Sequence, residues 1–155
     1  MLEDGEKAPD FALPDADGNT VKLAGLKGRP VVVYFYPKDD TSGCTAEAKG
    51  FTCLADAFKK AGAEVLGISP DNPASHRKFQ DKYGLGVRLL ADEERKAAEA
   101  YGVWVEKSMY GRKYMGVERA TFLVDKAGTI ARIWHKVKVP GHAEEVLEAV
   151  RTLNS

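Results

Sequence analysis

Six consecutive β-branched or aromatic residues, Val31-Val32-Val33-Tyr34-Phe35-Tyr36, are halted by Pro37. A run of that length without polar alternation predicts a strand buried on both faces, and a proline cannot extend a central ladder. Such a strand must be roofed on either side, which restricts the chain to layered α/β architectures. It is also the longest apolar or aromatic stretch in the sequence, and far too short to span a bilayer.

The flanking segments supply the layers. Phe11-Ala-Leu and Val21-Lys-Leu enclose Asp15-Ala-Asp-Gly-Asn and predict an N-terminal β-hairpin or a pair of short strands. After the polar loop Lys38-Asp-Asp-Thr-Ser-Gly, apolar residues at Phe51, Leu54, Ala55, Phe58 and Ala61 predict a helix from near Thr41–Cys44 to Gly62. Val65-Leu-Gly-Ile-Ser predicts a second core strand. Asn72-Pro73 opens a further helix, closed by Gly84. A strand at Arg88–Ala91, a helix from Glu93 to Tyr101, a hairpin across Thr121–Trp134 and an amphipathic helix from Ala143 to Leu153 complete the order. The aromatic stretch from Val103 to Gly116 carries no clear period. Trp104, Tyr110, Tyr114 and Met115 within it read either as ordinary packing or as one wall of a pocket. Strands alternating with helices imply a mixed central sheet flanked by helices.

A length of 155 residues predicts a single domain over 1–155, able to bury roughly 70% of its unfolded surface without staples. With 23 Lys+Arg against 23 Asp+Glu, nothing in the charge balance calls for nucleic acid or an anionic membrane. The opening MLEDGEKAPD has neither a basic n-region nor an apolar h-region, so the expected location is the cytoplasm. In that reducing setting Cys44 and Cys53 read as reactive or buried thiols, not as a permanent disulfide. His76, His135 and His142 lack zinc-ligand spacing and no glycine-rich phosphate loop occurs, so no metal or cofactor is expected.

Cys44 concentrates the chemistry. It follows a core strand and a short polar loop and lies in the first turn of the predicted helix. Unpaired backbone N–H groups and the positive end of the helix dipole stabilise an anion there, and the thiolate is the reactive form of cysteine. Thr41 can aim its hydroxyl at the sulfur or cap the helix. From position alone, a buried inert cysteine is an equal reading.

The wording of the loop adds to this. Pro37-Lys-Asp-Asp-Thr41-Ser-Gly-Cys44 resembles the P-x-x-x-T-x-x-C signature of the peroxiredoxins, and Tyr34-Phe-Tyr-Pro-Lys-Asp-Asp-Thr-Ser-Gly-Cys-Thr resembles their bacterioferritin-comigratory, or PrxQ, branch. Gly5-Glu-Lys-Ala-Pro-Asp-Phe, Gly67-Ile-Ser-Pro-Asp, Leu90-Ala-Asp and Glu118-Arg119-Ala-Thr-Phe-Leu-Val-Asp extend the likeness over nearly the whole chain. The resemblance implies a thioredoxin-like fold and a peroxidase that reduces hydrogen peroxide and organic hydroperoxides. It also implies that Cys44 is the peroxidatic residue, Thr41 and Arg119 its activators and Pro37 its shield. Glu47 matches the same pattern, either as a solvated first-turn carboxylate or as an orienter of Arg119. Thioredoxin, glutaredoxin or a small thiol would complete the cycle, and the chain would be a monomer or weak dimer.

One position departs from that pattern. Many PrxQ members carry a second, resolving cysteine five residues after the first, where this chain has Lys49. Cys53 is then the internal candidate. Nine residues along a helix amount to a rise of about 13.5 Å and a half-turn, against the roughly 4.4–6.8 Å between Cα atoms that a disulfide needs. An external or intermolecular thiol is the expected resolving partner. Two other readings share the fold: a thiol–disulfide oxidoreductase, against which the absence of C-x-x-C counts, and a non-catalytic peroxide sensor or holdase.

Overall fold

The computed structural model describes residues 2–154. β1 (Ala12–Pro14) and β2 (Thr20–Lys22) form the predicted antiparallel N-terminal hairpin, followed by a 3₁₀ turn at Leu23–Leu26. β3 (Val31–Phe35) leads into α1 (Ser42–Cys53) and α2 (Ala55–Lys60); β4 (Glu64–Ser69), α3 (Pro73–Tyr83), β5 (Arg88–Ala91) and α4 (Lys96–Ala100) follow. β6 (Trp104–Met109), β7 (Arg112–Val117), β8 (Ala120–Val124), β9 (Ile130–Trp134) and α5 (His142–Leu153) close the order.

The central sheet runs β5-β4-β3-β8-β9. β3 pairs parallel with β4 and antiparallel with β8, so the sheet is mixed and its most apolar strand lies in the middle. Every residue of β3 is buried, and alternate side chains enter opposite cores. Val32 and Tyr34 pack with Phe51 of α1, Phe58 of α2, Phe79 of α3 and Val146 of α5. Val31, Val33 and Phe35 pack with the N-terminal hairpin's Val21, with Phe11, and with Ala98 beside α4's end at Tyr101. Helices thus cover both faces, four on one side and the short α4 on the other.

Close contact across the first core is tightest at Gly67 of β4. A Cβ placed there would lie 2.7 Å from both Cζ and Oη of Tyr34 and 2.9 Å from Cδ2 of Leu89. Gly67→Ala should therefore lower stability by about 1–3 kcal/mol through overpacking. Denaturant midpoints check this, and a variant as stable as the parent would mean that Tyr34 has room to withdraw.

Three elements differ from the sequence expectation. The helix expected to run to Gly62 breaks at Leu54, just after Thr52, whose hydroxyl donates to the Ala48 carbonyl at 2.7 Å and accepts from the Gly86 N–H at 3.0 Å. Back-bonding of this kind bends helices. The helix expected from Glu93 starts only at Lys96, because the Asp92 carboxylate accepts from the Ala97 and Ala98 N–H groups and fixes the first turn there. The aperiodic stretch after Val103 is a β-hairpin, β6–β7, turned by Tyr110-Gly111 with φ of 52° and 77°. Paired left-handed residues are the geometry of a two-residue hairpin turn. Asn72 does cap α3, its side chain accepting from the Ser75 N–H at 2.8 Å, with Gly84 left-handed at the other end.

Candidate active site

β3 ends beside Pro37, and the chain turns through Lys38–Thr41 into α1, so Cys44 falls in that helix's first turn. The residue is buried at 2% exposure. Arg119 reaches it from the two-residue junction between β7 and β8, 75 positions later in the chain. That junction is held at both residues: the Glu118 N–H donates to the Val103 carbonyl, and the Arg119 carbonyl accepts from the Val137 N–H.

The guanidinium bridges two groups on α1. Nη2 donates to Cys44 Sγ at 3.2 Å, and Nη1 donates to Glu47 Oε1 at 2.7 Å. Gly43 makes room for it, since a Cβ at that position would stand 3.1 Å from Nη2. Glu47 is 2% exposed, and its second oxygen has no hydrogen-bond partner among the described residues. Burial pushes the Glu47 carboxyl up to about 7, against the opposing pull of Arg119. For Arg119, burial alone would lower the pKa, but Glu47 and Cys44 outweigh it and the net direction is upward. A permanent cation is therefore held against the sulfur by a carboxyl group whose own charge depends on pH.

Pro37 and Thr41 lie in the turn between β3 and α1. Pro37 is half-buried and Thr41 exposed. The Thr41 hydroxyl donates to the Lys38 carbonyl at 2.9 Å and makes no side-chain cap to α1; only its own carbonyl enters the helix, accepting from the Thr45 N–H. Cys53, at the other end of α1, is exposed and unpaired, and the helix between the two cysteines is unbroken. The structure thus brings Cys44, Arg119 and Glu47 together, keeps Pro37 and Thr41 in the turn that leads into α1, and leaves Cys53 at that helix's far end. Of the aromatic stretch, Tyr110 stands at the hairpin tip, 98% exposed, and Trp104 stacks under Arg95 at 4.9 Å.

Two neighbours of this centre were not legible as site residues in the sequence. Lys107 on β6 has its ammonium pushed down by burial and by the Arg119 charge, with Cys44 and Glu118 pulling the other way. Tyr34, fully buried beneath α1 and stacked on Phe51 at 4.7 Å, has a hydroxyl without a partner among the described residues, and burial raises its pKa well above the usual value. Both become visible only once the register of β6 and the pairing of β3 are known.

Residues 5–133 match the sequence profile of the AhpC/TSA family. A curated relative, "Putative peroxiredoxin bcp" of Coxiella burnetii, is 50% identical over 146 residues, which is 94% of this chain and 97% of the relative. "Peroxiredoxin Bcp" of Bacillus subtilis is 46% identical over 153 residues, 99% and 98% of the two chains. Among solved structures, the bacterioferritin comigratory protein of Xanthomonas campestris, described for its alkyl peroxide reduction activity, superposes with a TM-score of 0.91 at 39% identity, covering 97% of this chain and 98% of its own. Xylella fastidiosa PrxQ, as a cysteine-to-serine mutant, gives a TM-score of 0.94 at 34% identity over 100% and 99%.

Proposed function

The chain belongs to the AhpC/TSA family, within its Bcp/PrxQ branch of thioredoxin-fold peroxiredoxins, and from that premise we propose that Cys44 is the thiol at which it reduces peroxides. The protein is a peroxidase whose oxidising substrate is a peroxide and whose reductant is a thiol. The observation that carries the assignment to Cys44 is the 3.2 Å contact between its sulfur and the Arg119 guanidinium at the start of α1.

The chemistry follows from those positions. The Cys44 thiolate attacks one peroxide oxygen; an S–O bond forms, the O–O bond breaks, and the departing alkoxide or hydroxide takes up a proton. Cys44 is left as a sulfenic acid and the substrate as an alcohol or water. Negative charge moves from sulfur to the leaving oxygen in that step, and a fixed guanidinium beside the sulfur stabilises it along the way. Glu47 holds the guanidinium in place through Nη1. The Thr41 hydroxyl spends its proton on the Lys38 carbonyl, so its lone pairs are free to accept from the O–H of a peroxide. Pro37, half-buried just beyond the end of β3, is the residue that would screen the sulfur from water.

For the reductive half, an external thiol attacks the sulfenic sulfur and expels water, and a second thiol then releases Cys44 as the free thiol. Thioredoxin, glutaredoxin or a small thiol can fill that role. The unbroken α1 and the exposed position of Cys53 favour this over an internal disulfide. The two unpaired cysteines also fit a reducing, cytoplasmic setting.

Intact mass after one equivalent of hydrogen peroxide tests the scheme, with Cys44→Ser and Cys53→Ser alongside. One added oxygen on Cys44 with Cys53 unchanged is the expected result. Loss of two hydrogens, abolished by either substitution, would replace external resolution by an internal disulfide. Undiminished peroxide consumption by Cys44→Ser would remove Cys44 from the centre altogether.

A further inference from the structure

The loop that joins β3 to Cys44 contains two adjacent carboxylates, and each is tied to a different end of α3. At the helix N-terminus, Asp39 is buried and its side chain accepts three hydrogen bonds: from Tyr36 Oη at 2.6 Å, from Ser75 Oγ at 2.8 Å, and at His76 Nδ1 across 2.7 Å. Its backbone N–H donates to Asp71 Oδ2 at 2.8 Å, an oxygen that also accepts from Ser69 Oγ at 2.6 Å. Main chain and side chain of Asp39 are therefore both fixed by Tyr36 just after β3, by Asp71 between β4 and α3, and by Ser75 and His76 of α3, none of them in the loop.

His76 has no exposure at all. Its Nε2 lies 2.8 Å from the Leu90 carbonyl oxygen, which can only accept, so that nitrogen carries a proton. Nδ1 then faces a carboxylate oxygen at 2.7 Å, and a hydrogen bond at that distance requires one more proton between the two atoms. Asp39 and His76 are thus a shared-proton pair sealed under the loop and braced by β5.

At the C-terminal end of α3, Asp40 accepts from Lys82 Nζ at 2.8 Å and from Tyr83 Oη at 2.5 Å. Asp40 is itself left-handed, with φ of 57°. A non-glycine residue is held in that region only where its surroundings over-determine it. The Tyr83 ring also carries the Lys49 ammonium of α1 at 4.8 Å from its centroid.

We propose that α3 is the frame that positions the reacting loop, acting through the Asp39–His76 pair at one end and the Asp40–Tyr83 contact at the other. These are positioning residues: they set Pro37 and Thr41 over Cys44 without touching the sulfur or the peroxide. The inference rests on the reading of Cys44 as the reacting thiol. Peroxide attack needs an aligned in-line geometry, and a misplacement of about 1 Å can cost about 100-fold in rate. Alkylation of the same thiolate by iodoacetamide makes no use of Thr41 or Pro37.

The two reactions separate positioning from simple loss of structure. Asp39→Asn and His76→Gln should each lower the second-order rate constant for Cys44 oxidation by hydrogen peroxide by about 10–100-fold. Their double variant should be no slower than the worse single, as expected of two members of one unit. Iodoacetamide alkylation of Cys44 should stay level or quicken. Tyr83→Phe removes one surface hydroxyl, keeps the fold, and should slow the peroxide step by about threefold. Peroxide and alkylation rates that fall together, or a peroxide rate unchanged in folded variants, would overturn the proposal. If neither pair variant folds, Tyr83→Phe decides it: a parental peroxide rate overturns it, and a selective fall supports it. Wild-type protein whose mass shows neither an oxygen on Cys44 nor a disulfide formed from it after peroxide would instead overturn the reading of the site itself.

Discussion

Arg119→Met is expected to lower the rate constant for Cys44 oxidation by about 10²–10³-fold, the usual loss when one preorganised donor is removed from a developing anion. Methionine keeps much of the side-chain length but cannot donate, so the sulfur loses its 3.2 Å partner while the packing against Gly43 survives in part. Arg119→Lys should recover only a fraction of the rate. A single ammonium cannot occupy both Nη positions, one on Cys44 and one on Glu47, at 3.2 and 2.7 Å. Stopped-flow oxidation by hydrogen peroxide, run beside thermal unfolding, separates the chemistry from stability. An Arg119→Met variant within twofold of the parent would leave the helix N-terminus as the main source of activation.

The second large effect is on stability, at Glu47. Burial holds this carboxyl at about 7 against an ordinary 4.5, so between those pH values the folded chain keeps a proton that the unfolded chain has released. A group whose pKa is raised on folding contributes stability that is complete below its unfolded value and is lost as pH rises through its folded value. Stability should therefore decline from about pH 4.5 to pH 7, by about 3 kcal/mol from this group. Glu47→Gln removes the ionisation while its carbonyl can still accept from Arg119 Nη1. The variant should match the parent near pH 4.5 and exceed it above pH 7. Urea unfolding across that range is the measurement, and parallel pH profiles for the two proteins would mean that Arg119 fully compensates the buried charge.

Legibility in the sequence followed the range of the interactions. The central strand, the capped α3 and the terminal hairpin all rest on neighbours close in sequence, where propensity and turn chemistry act. The β6–β7 hairpin was opaque because its turn is Tyr110-Gly111, and tyrosine is not a residue whose φ can be guessed positive. The late start of α4 was opaque too, since Asp92 lies ahead of the expected helix and reaches forward to two of its N–H groups. At the site, helix position and the loop's resemblance singled out Cys44, and only resemblance pointed to Arg119. The Asp39–His76 pair spans 37 positions and the sheet's strand order, and no local pattern encodes it. Thr41 could be read as a partner of the sulfur or a helix cap, but the direction of its hydroxyl depended on where the Lys38 carbonyl would turn.

The distance in sequence between Cys44 and Arg119 has a consequence for biosynthesis. Emerging from a ribosome, the chain exposes the thiol and most of its α/β half before residue 119 exists. The guanidinium arrives only with β8, the strand that inserts beside β3 and joins the terminal hairpin to the rest of the sheet. Until that non-local pairing forms, Cys44 lacks its Arg119 contact. Completion of the sheet and formation of the Arg119–Cys44 contact are one event, so a nascent or half-folded chain has the thiol but not yet the cation that the finished fold holds against it.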